Sequence, residues 1–408
     1  MTSIVSKARK ASRRHFRTLM AMLTVVISVV VVGNNLTFQS IRAPQNIGTA
    51  QMIYGWARLY KPMIYDEVRP KSISFGYSWV RDIFDPVKAS DLTGEVFFNF
   101  GLSGATSFES YRLLQNALYV HKPDRIFLDM ESFHDAPRAS IVEHQFDERI
   151  LYVNRDGSVN KTAKLNRIIK INTSGAALSF NVRFLETLYK INQGTPVEQL
   201  LPSYQRRDWR TESVAIASMK SWMEIGGNPR DQAGGPGGKF LSTFHDLEAA
   251  VRLACSEKVD VHIFESPYIC GAGGKDTRSA LTLMREISTA CAAPITYHTF
   301  RYPNAVTMEG IIATPGPSTF YRPDGHPRPP LGQMMLTRIL GLEDKDGAPP
   351  LPSDFGVDLM ALDEAAANAW IDKRGERCNG NWSPEEYDAV VKEAEDLIPQ
   401  WRDIFDEG

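Results

Sequence analysis

Five short apolar runs, separated by stretches of helical pattern, limit this chain to few folds. They are SISFGYS at 72–78, VFFNFGL at 96–102, RIFLDM at 125–130, VDVHIFESP at 259–267 and PITYHTF at 294–300. Each has the length of a buried strand. Thr106-Ser-Phe-Glu109 forms a capping box that opens a helix burying Leu114, Ala117 and Leu118, and Pro123 and Asp124 end it. Residues 243–257 and 276–288 read as helices, and LGQMMLTRILGL at 331–342 as an amphipathic one. Strands alternating with helices give a mostly parallel sheet covered on both faces. The expected class is therefore α/β, in a three-layer α/β/α arrangement.

Other segments flank this frame. Residues 1–17 carry Lys7, Arg9, Lys10, Arg13, Arg14 and Arg17 and no acidic residue, and the apolar run LMAMLTVVISVVVVG follows from Leu19 to Gly33. A basic flank before an apolar run orients a membrane segment with its N-terminus in the cytoplasm. The run is shorter than the roughly 20 residues of a full span, and Leu36 and Phe38 extend it. The expected organisation is a basic cytoplasmic tail (1–17), an uncleaved anchor (18–38) and a connector (39–70). The α/β domain (71–342) follows, with an insertion at 135–245, and then a helical C-terminal appendage (343–408). A cleaved signal peptide is the alternative for the N-terminus, although Val31-Val-Gly33 is a poor cleavage site. Both readings export everything after about residue 40. The insertion contains helical patterns near 181–192 and 212–224 and the loop-forming GGPGG at 234–238. Ser383-Pro-Glu-Glu386 starts a last helix.

Composition removes several function classes. A net charge of -2 over 408 residues offers no basic excess for nucleic acid. No HExxH, P-loop or dinucleotide fingerprint occurs, so no metal or cofactor is expected. Cys255, Cys270, Cys291 and Cys378 contain no CxxC pair. In an oxidising compartment one or two disulfides can form, and Cys270 and Cys291, which flank one helix, could meet; free buried cysteines are an equal alternative.

In an open parallel sheet, ligands collect at the carboxyl ends of the strands. Three elements with chemical capacity fall there. Gly76-Tyr-Ser78 follows the first strand, where glycine permits close approach and the serine hydroxyl projects from the strand end. Asn99-Phe-Gly101-Leu-Ser-Gly104-Ala-Thr106 follows the second, and its glycines leave backbone N–H groups to face an oxyanion. Arg322-Pro-Asp324-Gly-His326-Pro precedes the helix at 331, where an imidazole could accept a serine proton with the carboxylate fixing its tautomer. Taken singly, each is more often an ordinary turn or connection, and the three gain weight only in combination. Arg81 and Asp82 either bind a polar substrate or pair with each other. Asp129 either orients the site or caps the next helix. Glu265 either lines the cleft or is a buried, hydrogen-bonded acid, and His134 and His298 are isolated.

The order of these blocks resembles the SGNH (GDSL-type) hydrolase superfamily, and within it the SGNH-like proteins of bacterial envelopes, which include polysaccharide acetyltransferases. The resemblance is carried by FGYSWVRDIFDP (75–86), FNFGLSGAT (98–106), FLDMESF (127–133), HIFESPY (262–268) and FYRPDGHPRPPLG (320–332). It implies a flavodoxin-like SGNH sheet. It implies Ser78 as nucleophile, His326 as base with Asp324 as the acid, and Gly101 or Gly104 with Ser78 in the oxyanion hole. Asp129 and Arg81 are the further substrate-site candidates. Tyr77 stands where the family has aspartate, no Gly-x-Asn-Asp block follows the third strand, and Asp324 lies two residues before His326 rather than three. The implied protein sits by a single pass in a bacterial inner membrane with its main domain on the periplasmic side. The implied activity is acyl-ester hydrolysis or O-acyl transfer on an envelope or secreted glycan, with envelope proteins as further partners. The alternative is an inactive member that binds a glycan or a protein within an envelope assembly.

Overall fold

The computed structural model describes residues 2–42, 57–133, 146–173, 175–195, 244–267, 274–309, 319–321, 327–345, 347–378 and 382–406. Its centre is a mixed six-stranded sheet in the order β2-β1-β3-β4-β5-β6. The strands are β1 (Ser72–Phe75), β2 (Phe97–Asn99), β3 (Arg125–Asp129), β4 (Asp260–Glu265), β5 (Ile295–Thr299) and β6 (Val357–Asp358). The first five are parallel, and β6 pairs antiparallel with β5. Ile73, Phe75, Phe98, Ile126, Phe127, Leu128, Ile263 and Phe264 are completely buried, which explains why these strands read as unbroken apolar runs.

Helices fill the connections. Between β1 and β2 lie α3 (Ser78–Ile83) and α4 (Pro86–Thr93), the latter capped by Asp85. Then α5 (Ser107–Val120) leads to β3, α8 (His245–Ser256) to β4 and α9 (Gly274–Ser288) to β5, and α10 (Pro329–Ile339) follows β5. The capping box read from sequence is formed: Thr106 Oγ1 accepts from the Glu109 N–H at 3.1 Å while Glu109 accepts from the Thr106 N–H at 2.9 Å. From β1 the chain first moves outward to β2, then reverses past β1 to β3. Right-handed crossovers in the two directions place their helices on opposite faces. α5 packs on α8, while α10, which follows β5, packs on α3 and α4. The tightest contact is at Gly332, where a Cβ would lie 2.1 Å from the Ile83 carbonyl oxygen.

Among the described residues, two helices precede the sheet. In α1 (Thr2–Ile41), the 27 residues His15–Ile41 are long and apolar enough to cross a membrane, properties that a signal sequence shares. Residues 57–68, within the segment expected to connect membrane and fold, form α2 (Ala57–Val68). It packs on α5, and its Tyr65 ring lies 5.4 Å from Phe98 and 5.2 Å from Phe100. The buried Arg58 pairs with Glu109 at 2.6 Å. Within the insertion, α6 (Ala163–Thr173) and α7 (Gly175–Asn192) pack on each other and on α1. The helical pattern at 212–224 and GGPGG lie outside the described residues.

After β6 come α11 (Glu364–Cys378) and α12 (Pro384–Asp406). They join the main core. α11 packs on α9, and the buried Trp401 of α12 donates its indole N–H to the Pro350 carbonyl at 2.8 Å. The Ser383 hydroxyl accepts from the Glu386 N–H at 3.1 Å, as its capping motif predicted. The disulfide differs from expectation. Cys255, in the last turn of α8, pairs with Cys291, after α9. The two helices pack side by side, which brings those ends together. Cys270 lies outside the described residues.

Candidate functional site at the sheet's switch point

Because the chain reverses direction at β1, the crevice beyond the carboxyl ends of β1 and β3 is the place where this topology collects a ligand. Three described segments meet there, and a described flank of a fourth is bonded beyond β4. The first leaves β1 at Phe75, passes Gly76 and Tyr77, and enters α3 at Ser78. The sequence run 72–78 is thus a four-residue strand followed by a turn. Gly76 is required by close approach, since a Cβ would sit 2.2 Å from Val80 Cγ2 and 2.9 Å from Ser132 Oγ. The half-buried Ser78 opens the helix, between the stacked Tyr77 and Trp79 rings, whose centroids are 6.3 Å apart.

The second segment, 99–104, is pinned from three directions. The Asn99 amide donates to the Val80 carbonyl at 2.9 Å and the Phe84 carbonyl at 2.6 Å, and its Oδ1 accepts the Gly101 N–H at 2.6 Å. Gly101 lies against α3, where a Cβ would be 2.3 Å from the Arg81 backbone nitrogen. From α2, Lys61 Nζ donates to the Gly101 carbonyl at 2.7 Å, and Arg58 to the Ser103 carbonyl at 3.0 Å and the Gly104 carbonyl at 3.3 Å. Gly104 adopts a left-handed φ of 57°. Burial, reinforced by the Arg81 charge, pulls the Lys61 ammonium down to about 7. Arg81 and Asp82 pair at 2.7 Å, and Arg81 also donates to the Ser103 hydroxyl.

The third segment, Asp129 to Phe133, ends β3 in a 3-10 turn. Asp129 is fully buried, and its oxygens accept from Ser132 Oγ at 2.6 Å and from Ser266 Oγ, beyond β4, at 3.1 Å. Ser132 Oγ in turn accepts the Tyr77 N–H at 2.8 Å, which ties the first and third segments together. Burial lifts the Asp129 carboxyl to about 6, against the lowering effects of the two serines and of Arg301. Glu131 accepts from the Tyr77 hydroxyl at 2.7 Å and pairs with Arg301, a residue just past β5. Arg301 is itself buried, which lowers it to about 10.

The fourth is the histidine-bearing segment. Arg322, Asp324 and His326 lie outside the described residues. Their described flanks, Tyr321 and Pro327, form an antiparallel bridge. The buried Tyr321 hydroxyl donates to the Pro267 carbonyl at 2.9 Å, next to Ser266.

Glu265 occupies a separate centre. It is fully buried and accepts from Tyr297 at 3.0 Å, Thr299 at 2.6 Å, Thr277 at 2.5 Å and Arg374 of α11 at 2.7 Å. It is a structural acid rather than a cleft residue. His298 is buried in β5 and its pKa is lowered to about 4 by burial, so it stays neutral. His134 lies outside the described residues. Among the described residues no three His, Cys, Asp or Glu side chains converge to hold a metal ion.

Ser78, Arg81, Gly101, Gly104 and Asp129 thus belong to segments laced together at one sheet edge. The sequence reading missed Ser132, Ser266 and Arg301. Arg301 had a signal, a cation directly after an apolar strand. The serines had none, since serine at a strand end is ordinary turn chemistry. Comparison with family models, curated proteins and solved structures gives no match.

Proposed function

We propose that this chain is a membrane-anchored, SGNH-like serine esterase or O-acyltransferase acting on an envelope or secreted glycan from the periplasmic side of a bacterial inner membrane. One observation carries the reading: a serine at a strand-to-helix turn and a glycine loop lie at the sheet's switch point, and the flanks of a histidine-bearing segment bridge each other with one flank bonded just beyond β4. The contact of α10 with α3 further supports the approach of His326 to Ser78, because His326 lies three residues before α10 begins.

In this mechanism His326 removes the Ser78 hydroxyl proton as the oxygen attacks the acyl carbonyl. Asp324 holds the imidazole. The tetrahedral intermediate collapses, the ester C–O bond breaks, and His326 returns the proton to the leaving oxygen. A sugar hydroxyl or water then attacks the acyl-serine, again losing its proton to His326, and Ser78 is regenerated. The Gly101 N–H is held by Asn99. We therefore assign the oxyanion donors to the backbone of Gly104 and Ser78, where losing one costs roughly 3 kcal/mol in the barrier. Arg81, tied to Asp82 and Ser103, positions the glycine loop. Asp129 acts through Ser132 on the Tyr77 backbone, holding the nucleophile's turn.

A second reading, a non-catalytic glycan- or protein-binding component, is favoured by the same observation that moves the oxyanion assignment. Two backbone donors of the crevice, Tyr77 and Gly101, are engaged within the protein. The deciding experiment uses the full chain in detergent, with an acetyl ester as donor and either water or an oligosaccharide as acceptor. The enzyme reading expects turnover that Ser78→Ala abolishes. Equal inertness of wild type and Ser78→Ala in both formats, with glycan binding retained, establishes the second reading instead.

A further inference from the structure

The insertion helices α6 and α7 expose an apolar surface that the α/β fold does not use. On α7, Ala177, Asn181, Phe184 and Leu188 turn inward, at the spacing of one helical face. One residue further round, Leu178, Val182, Leu185 and Tyr189 form a second stripe that is 43%, 57%, 50% and 65% exposed. On α6, Ala163, Arg167 and Ile171 are buried while Leu165, Ile168 and Ile169 are 59%, 57% and 47% exposed. Singly exposed apolar residues are ordinary, but seven on two packed helices are not.

The position of these helices identifies what covers them. Both pack against α1, at the end of its apolar run. The Asn34 amide of α1 donates to the Ile171 carbonyl at 3.0 Å, and the Asn181 amide donates to Asn34 Oδ1 at 2.8 Å. Asn35 donates to Asn172 Oδ1 at 2.9 Å. These bonds fix the C-terminal turn of α6 and the first turns of α7 to α1 directly after Gly33. The exposed residues Ile168, Ile169, Leu178 and Val182 lie within a turn or so of the pinned positions. They continue the apolar surface of α1, whose Val29, Val32 and Leu36 are 65%, 55% and 66% exposed. Exposed Lys161, Lys164 and Arg183 accompany the stripes, the charge an anionic headgroup layer attracts.

We propose that α6 and α7 are an in-plane membrane-docking pair, seated at the headgroup–acyl boundary of the leaflet from which α1 emerges, with phospholipid as the occupant of their apolar stripes. The proposal rests on the membrane-anchored reading of α1. Chain of this composition is displayed to water by neither helix: the lipid-facing stripe of α7 stands beside its protein-facing stripe, and α1 supplies the neighbouring lipid-facing wall.

The test uses the full chain reconstituted in vesicles of phosphatidylethanolamine and phosphatidylglycerol, with a photoactivatable diazirine side chain at Leu165, Val182 or Leu185. Tyr387, exposed on α12, serves as control. The expected result is phospholipid adducts at the three insertion positions at least tenfold above the control, in protein that stays with the vesicles in alkaline carbonate. Retention in carbonate with no lipid adduct at these positions overturns the docking pair and leaves the anchor standing. Adducts to a second copy of the chain overturn it in favour of a protein-covered face. Release by carbonate removes the anchor, and the docking pair with it.

Discussion

Two neighbouring strands each end in a buried acid, and the two are treated differently. Asp129 closes β3 and Glu265 closes β4, and in the parallel register Asp129 lies opposite Phe264, the residue before Glu265. Glu265 is saturated: two threonines, a tyrosine and an arginine donate to it, so its negative charge is neutralised where it sits. Asp129 receives two serine hydroxyls, and its cation, Arg301, is paired with Glu131 instead. Burial lifts its carboxyl to about 6, and the two serines and Arg301 offset that only in part. The saturated acid locks the C-terminal helices onto the sheet. The under-compensated acid sits beneath the switch point, where through Ser132 it holds the Tyr77 backbone.

Removing the cation from the saturated acid should have the largest effect. Arg374→Met leaves Glu265 buried without its counter-ion and is expected to lower stability by about 3–5 kcal/mol in chemical denaturation of the detergent-solubilised chain. A Glu265→Gln, Arg374→Met double variant should recover part of that loss. No recovery would mean that the pair contributes by packing rather than by charge.

The second expectation concerns pH. Asp129 has its pKa raised on folding from the usual 3.8 to about 6, so the native state binds the proton more tightly than the unfolded chain. Its stabilising contribution is complete below about pH 4 and is lost as pH rises through about 6, by about 3 kcal/mol in all. Asp129→Asn cannot ionise. The stability of wild type relative to this variant should therefore fall between pH 4 and pH 7, and a flat difference across that window would contradict the assignment.

Matched hydroxyl deletions sharpen the contrast. Ser132→Ala removes a donor to Asp129 and strands the buried Tyr77 N–H, at an expected cost of about 2 kcal/mol. It should also displace the Asp129 titration upward. Tyr297→Phe removes one of four donors to Glu265 and should cost only about 1 kcal/mol. Equal costs in thermal unfolding would show that the two centres are alike in kind.

Much of this frame was legible in the sequence because it depends on local signals. The five central strands, the Thr106–Glu109 box and the Ser383 cap all rest on residues within a few positions of one another. Strand ends were read too long. Period and apolarity do not reveal that Gly76 lets the chain turn under Val80, a contact made only in three dimensions. β6 was invisible, since two residues carry no alternation, and with it the integration of α11 and α12. The Arg374–Glu265 tie joins residues 109 positions apart, a separation no spacing rule reaches. The core role of α2 was hidden for a similar reason: its buried Arg58 and Lys61 look like solvent-facing charge until their partners at Glu109 and Gly101 are known. At the candidate site, the glycines and Ser78 could be named in advance, while the serine–aspartate lattice that holds them could not.

The helix α2 joins the candidate site to the insertion. One side of it is bonded to the insertion pair: the Tyr60 hydroxyl to Asn181, the Pro62 carbonyl to Arg167, and Asp66 to the same arginine. Its Arg58 and Lys61 grip the carbonyls of residues 101, 103 and 104. The two sets of bonds leave α2 at the same turns on different sides, so the glycine loop and the insertion pair are tied together through one short stretch of backbone and neither shifts without the other.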